Sequence, residues 1–301
     1  MNRKRFWQIL RLLFVLSFAW LMLRELKGFP DPLLLLQMVS AQSAWIWPLL
    51  LFASALNWFL ESIKWRKLLL HLQKCTLGEA ARGTLAGAAV SNIIPFRIGE
   101  YIGRLMWVKP EQRIAAAALS VFGSMTQMLV TIVCGLFAGW FLPDLLPPAA
   151  RTLAPAFVML FVVSAVWLHR TGRMPARASG KIQDALERMR VLSWTSMAFI
   201  CSISVLRYLV FSSTYALLLL HFGVLSDFGT AWLSVALMFF IQSFFPSIAV
   251  VDVGVRVAVP MMVIQSGNDL ALTAAALCIY LFNVLLPALA GLFAILQQRL
   301  R

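Results

Sequence analysis

Six long apolar runs, roughly residues 6–26, 45–63, 114–142, 153–169, 193–221 and 270–297, dictate how this chain can fold. A helix needs about 20 apolar residues to cross the ~30 Å hydrocarbon core. Backbone in lipid must satisfy its own hydrogen bonds, which leaves helices or closed barrels. Two further apolar regions, 83–108 and 230–266, are broken near their middles by proline and polar residues. The expected fold class is an all-α polytopic membrane protein with about six full transmembrane helices plus two re-entrant helical hairpins. The composition, 61% hydrophobic and 13% charged, excludes a soluble domain, which holds roughly 45–50% and 25%. No polar stretch is long enough for a second domain, so residues 1–301 read as one integral membrane domain.

The formal net charge of +14 would suggest nucleic acid in a soluble protein. Here the cations fall in short loops between apolar runs, which argues for orientation and anionic headgroups instead. With the N-terminus in the cytoplasm, segments 1–5, 64–82, 109–113, 169–192 and 298–301 are cytoplasmic and hold 18 of the 26 Lys and Arg residues. The outer loops hold Lys27 and Arg151, beside Asp31, Asp144, Asp227 and Asp269. The expected location is a bacterial cytoplasmic (inner) membrane with both termini on the cytoplasmic side. The start, "MNRKRFWQILRLLFVLSFAWLML", reads as a retained helix, because its apolar run is longer than a signal peptide's. Segment 170–192 is basic and expected on inner-leaflet headgroups, and Trp45, Trp47, Trp65, Trp140 and Trp194 look like interface anchors.

The same charge pattern constrains the two broken regions. Basic loops flank 83–108 on both sides, so it should enter from the cytoplasm and return there. Neither flank of 230–266 carries Lys or Arg, so it should enter and leave from outside. The alternative makes each a complete, kinked crossing. "SNIIPFRIGEYIGR" (91–104) and "QSFFPSIAVVDVGVR" (242–256) share a proline, a later acid at Glu100 or Asp252, and an arginine at Arg104 or Arg256. They form a weak inverted repeat, about 45–142 and 193–297, with Pro95, Gly99, Pro246 and Gly254 at the hairpin tips. Paired, interrupted apolar segments of this kind point to a transporter's binding site. Kinks without function are the plainer alternative.

Ionisable groups in a span are costly and face inward or pair. Arg97, Glu100 and Arg104 share a helical face, and Asp252 and Arg256 are four apart, acid first. Arg207 lies about halfway along its run and should point into the same cavity. Glu61 lies near the cytoplasmic end of its run, where an interfacial, structural role is as reasonable. Guanidinium groups suit phosphate. The candidate lipid-headgroup set is Asn92, Arg97, Glu100, Arg104, Arg207, Asp252 and Arg256. The competing reading makes Glu100–Arg104 and Asp252–Arg256 internal ion pairs that brace the hairpins. The scattered His and Cys residues form no metal pattern, and no metal or cofactor is expected.

"NIIPFRIGEYIGR" resembles the N-x-x-P-x-R-x-G-E-x-x-R pattern of the lysylphosphatidylglycerol synthase transmembrane-region, or flippase-like, family. "FFPSIAVVDVGVR" is similar to its second pattern, although Asp252 stands where many relatives have glutamate or glycine. The resemblance covers essentially the whole chain and implies a domain that moves lipids between leaflets. The aminoacyl-transferase domain of the aminoacyl-lipid members is absent from this sequence, so lipid aminoacylation is not expected. By carry-over, Asn92, Pro95, Arg97, Gly99, Glu100, Arg104, Pro246, Asp252, Gly254 and Arg256 match the family's motif positions.

Three readings compete. The first is a lipid translocase that moves a phosphate-bearing phospholipid, polyprenyl lipid or glycolipid through a central cationic cavity, without enzymatic chemistry. The second is a membrane-embedded transferase acting on a lipid phosphate; no D-x-D or H-x-x-x-D motif supports it. The third is a non-catalytic envelope scaffold. Lipid is the expected partner, nucleic acid is not, and a homo-oligomer is left open.

Overall fold

The computed structural model describes residues 37–92, 94, 98–142, 155, 156, 159, 192–244, 259–265 and 267–297. The expected span at 6–26, most of that at 153–169, and Pro95, Arg97, Pro246, Asp252, Gly254 and Arg256 lie outside them. Among the described residues all regular structure is helical. In chain order the helices are α1 (Ile46–Leu69), α2 (Leu77–Ser91), α3 (Ile98–Leu105), a 3-10 turn (Pro110–Gln112) and α4 (Arg113–Phe141). After these come α5 (Trp194–His221), α6 (Phe228–Ser243), α7 (Asp269–Tyr280), a π-helical segment (Leu281–Leu285) and α8 (Leu286–Gln297).

Four of these stretches are long and apolar enough to cross a bilayer: Ile46–Leu69, Pro110–Phe141, Trp194–His221 and Asp269–Gln297. They coincide with four of the six apolar runs, and the chain is a multi-pass membrane protein. One boundary moves. α1 continues through Lys64 to Leu69 instead of ending at 63, because Lys64 is buried rather than lying in a loop.

Local chemistry sets the helix starts. Thr76 accepts from the Glu79 amide at 3.2 Å while the Glu79 carboxylate accepts from the Thr76 amide at 2.8 Å, a reciprocal cap for α2. Ser193 caps α5 through the Ser196 amide, Asp227 caps α6 through Thr230, and Asn268 caps α7 through Ala271. Each satisfies a backbone donor that the first turn leaves open.

α1 and α5 run antiparallel along their length. Trp45 meets His221 edge-on at one end, Asn57 meets Arg207 in the middle, and Lys67 lies over Phe199 at the other end. α2 and α3 form an antiparallel hairpin. Gly83 of α2 lies against Arg104 of α3, Gly87 against Glu100, and Val90 against Gly99. A Cβ on Gly103 would strike the backbone of Ala86 and Gly87, so that crossing needs glycine. The two helices pack antiparallel, and the expected tip Pro95 lies outside the described residues.

The remaining packing is reciprocal. α2 lies on α8, and α6 lies on α4. At Gly291 of α8 a side chain would collide with the Leu85 backbone of α2. At Gly135 of α4 it would collide with Phe240 of α6. Gly135 follows the first residue of α4 by 22 positions, and Gly291 follows the first residue of α7 by 22.

The π segment has an identifiable cause. Pro287 has no amide hydrogen to give the carbonyl four residues earlier, that of Asn283, and its ring crowds the same carbonyl. The helix widens, and the Leu286 amide bonds to the Leu281 carbonyl. The carbonyls of Phe282 and Asn283 then accept from α1 instead, from Ser54 Oγ and from Trp58 Nε1 at 3.1 Å.

Candidate functional site

Five ionised side chains from three helices meet in one buried network, and a fourth helix lines it. α1 contributes Glu61 and Lys64 at i, i+3, α3 contributes Glu100 and Arg104 at i, i+4, and α5 contributes Arg207. α4 contributes neutral acceptors. Glu61 is the hub. Its Oε1 accepts from Arg104 at 2.6 Å, and its Oε2 from Lys64 Nζ at 2.9 Å and from Arg207. Glu61 is 3% exposed, and Lys64 and Arg104 are 1% exposed.

Each cation is held on other sides too. Arg104 also pairs with Glu100, donates to Ser120 Oγ at 3.3 Å, and lies 5.4 Å from the centre of the Trp65 ring. Lys64 donates to the Gly123 carbonyl at 3.2 Å. Arg207 donates through Nε to the Asn57 carbonyl and Oδ1, both at 3.1 Å, and through a terminal nitrogen to Gln127. Gln127 continues to the Ser204 carbonyl, and Thr126 bonds to the Ser204 hydroxyl at 3.0 Å. α1, α3, α4 and α5 are thus tied at one level.

By helix rise, Glu61 lies ~12 Å from the Leu69 end of α1 and Arg207 ~20 Å from the Trp194 end of α5. Charges at such depth persist when paired and hydrogen-bonded. Two members keep an open side: the Glu100 side chain is 25% exposed and that of Arg207 is 16% exposed. Three cations face two carboxylates, so the described cluster carries one excess positive charge.

The structure brings together three of the expected residues, Glu100, Arg104 and Arg207, and joins them through one that was read as interfacial, Glu61. Asn92 does not join them; its Nδ2 donates to the Ala88 carbonyl at 2.9 Å and closes the end of α2. Gly99 is the first contact of α3 on α2. Arg97, Asp252 and Arg256, with tips Pro95, Pro246 and Gly254, lie outside the described residues. Trp65, read as an interface anchor, is fully buried under Arg104. Lys64, which the charge pattern places in a cytoplasmic loop, lies buried within α1. The legible signal for both Lys64 and Glu61 is Glu-x-x-Lys within a run that continues apolar on the same face.

No curated protein matches the chain significantly. The sequence profile of the lysylphosphatidylglycerol synthase TM region matches residues 8–291. That match spans nearly the full length, and the chain belongs to the lysylphosphatidylglycerol synthase transmembrane-region family.

Proposed function

We propose that the chain is a lipid translocase, a transporter and not an enzyme, that carries a phosphate-bearing lipid headgroup past the Glu61 cluster while the acyl chains stay in the bilayer. The observation that carries this reading is the convergence of Lys64, Arg104 and Arg207 on one buried carboxylate, with Arg207 and Glu100 left partly open. A net positive site with a partly open guanidinium, that of Arg207, suits a phosphate. Enclosed Arg104 acts as the brace, and Arg207 acts as the contact. Arg97 and Arg256, by their motif positions, add further guanidinium groups. Glu100 and Asp252 hold them or read a headgroup ammonium.

The transmembrane arrangement follows the charge rule. With both termini in the cytoplasm of a bacterial inner membrane, the Lys/Arg-rich segments face inward. α2 and α3 rise only ~22 and ~12 Å, both short of the hydrocarbon core, which supports a re-entrant hairpin. The matched grips at Gly135 and Gly291 support an inverted repeat, about 45–142 and 193–297, and rocking of one half against the other would alternate access.

The test is scrambling of labelled lipid in proteoliposomes, across phosphatidylglycerol, phosphatidylethanolamine, an aminoacylated lipid and a polyprenyl phosphate. The wild type is expected to accelerate at least one. Arg207→Ala is expected to abolish the acceleration in a protein that still folds. No acceleration of any of the four over empty vesicles would sink the reading.

A further inference from the structure

The Pro287 bulge leaves one polar group unpaired. Trp58 satisfies the Asn283 carbonyl, yet the Asn283 side-chain Nδ2 finds no acceptor among the described residues while the residue is 6% exposed. A buried donor without a partner is destabilising, and native proteins keep few of them. Asn283 also sits at the midpoint of the span Asp269–Gln297, 14 residues from either end, where bulk water is scarcest. Single-turn π bulges recur at functional sites.

Its place relative to the charge cluster fits a ligand. At 3.6 residues per turn, Ser54, Asn57, Trp58 and Glu61 fall within about 100° on α1. Ser54 and Trp58 hold the bulge, and Asn57 and Glu61 hold Arg207. Trp58 and Glu61 are three residues apart, a rise of ~5 Å. Along α1 the level of the bulge and the level of Arg207 thus differ by about one helical turn, the scale on which an ester or first sugar oxygen stands off from its phosphate.

We propose that Asn283 contacts the carried lipid, its amide donating to a neutral acceptor oxygen next to the phosphate, either an ester carbonyl or a sugar hydroxyl. This rests on the translocase reading and deepens it. The cations take the charged oxygens. An uncharged amide at mid-membrane takes a neutral one and distinguishes lipids that share a phosphate. Entry of that oxygen requires the bulge to part from α1, and the Ser54 and Trp58 bonds are the contacts that must loosen.

The test measures binding in detergent micelles by native mass spectrometry with three probes: diacyl phosphatidic acid, its dialkyl-ether analogue, and a dialkyl-ether phospholipid bearing a sugar on the phosphate. The wild type is expected to bind the plain ether analogue roughly three- to tenfold more weakly than the probe that supplies the acceptor. A preference for the diacyl probe assigns the carbonyl, and one for the sugar probe assigns the hydroxyl. Asn283→Leu is expected to erase the preference without lowering the melting temperature. Equal wild-type binding of all three probes, or a preference that survives Asn283→Leu, overturns the proposal and leaves the amide to a bridging water. The wild-type comparison decides the matter even where the variant fails to fold. Selective binding without lipid movement in proteoliposomes would sink the translocase reading and leave the Asn283 contact standing. Binding none of the three would overturn the contact.

Discussion

Glu61→Gln is the most informative single substitution, because one carboxylate serves three cations. Glutamine keeps the volume and one acceptor oxygen but removes the charge. Lys64, Arg104 and Arg207 would then share only Glu100, which contacts Arg104 alone among them. The excess charge of the described cluster rises from one to two. Removing one partner of a buried pair costs about 3–5 kcal/mol, because the remaining charge stays desolvated. The upper part of that range applies, since Lys64 and Arg104 are almost fully enclosed. Thermal unfolding in detergent, followed by tryptophan fluorescence, should show a melting temperature lowered on the order of 10 °C. The double variant Glu61→Gln/Lys64→Met should recover part of that loss, because among the described residues Lys64, like Arg207, has Glu61 as its sole carboxylate contact, and Lys64 is the more enclosed of the two. A melting temperature within 2 °C of wild type for Glu61→Gln, or a double variant less stable than the single, would refute the view that Glu61 holds the cations together.

Other outcomes follow from the same geometry. Arg207→Lys should impair lipid scrambling nearly as much as Arg207→Ala, because an ammonium cannot span Asn57, Glu61 and Gln127 as a planar fork does; equal transport by the lysine variant would count against a geometric role. Gly103→Ala should cut the folded yield severely, as its methyl meets backbone atoms of Ala86 and Gly87 that cannot rotate away; size-exclusion profiles in detergent would show it. Pro287→Ala restores an amide hydrogen for the Asn283 carbonyl, so the bulge should relax and Trp58 should lose its partner, seen as shifted tryptophan emission. Asp227 outside the spans has its pKa held below the usual carboxylate value, chiefly by the Thr230 amide. A depressed folded-state pKa means its capping contribution is present above the unfolded value and lost as pH falls through the folded one. Hydrogen exchange at Thr230, corrected for intrinsic rate, should accelerate in acid for the wild type and not for Asp227→Asn.

Long apolar runs were the most readable part of the sequence. Four of them became helices, three at the expected extent and α1 continuing past 63 to Leu69, because in lipid the backbone has few alternatives. The Glu100–Arg104 pair was readable from its i, i+4 spacing alone. Glu61 reads as interfacial from its position near a span end, yet it is buried, because distance from a span end does not decide burial. Pairing decided instead: Arg104 and Arg207 approach from helices 43 and 146 residues away in sequence, and no local pattern encodes that meeting. Lys64 followed Glu61 inward for the same reason. The bulge at Leu281–Leu285 had a visible signal in Pro287, but which donors would meet the freed carbonyls depended on how α1 packs.

The reciprocal grips at Gly135 and Gly291 bear on synthesis. α4 leaves the ribosome about 100 residues before Phe240, the side chain that fills the notch at Gly135. During that interval its groove must be filled by lipid or an insertion factor, and α2 likewise waits for Gly291, which is made about 200 residues after Leu85. Assembly of the interior therefore cannot finish helix by helix during translation. It closes only when the span Asp269–Gln297 arrives, so truncation near residue 290 should undo the seating of a helix made about two hundred residues earlier.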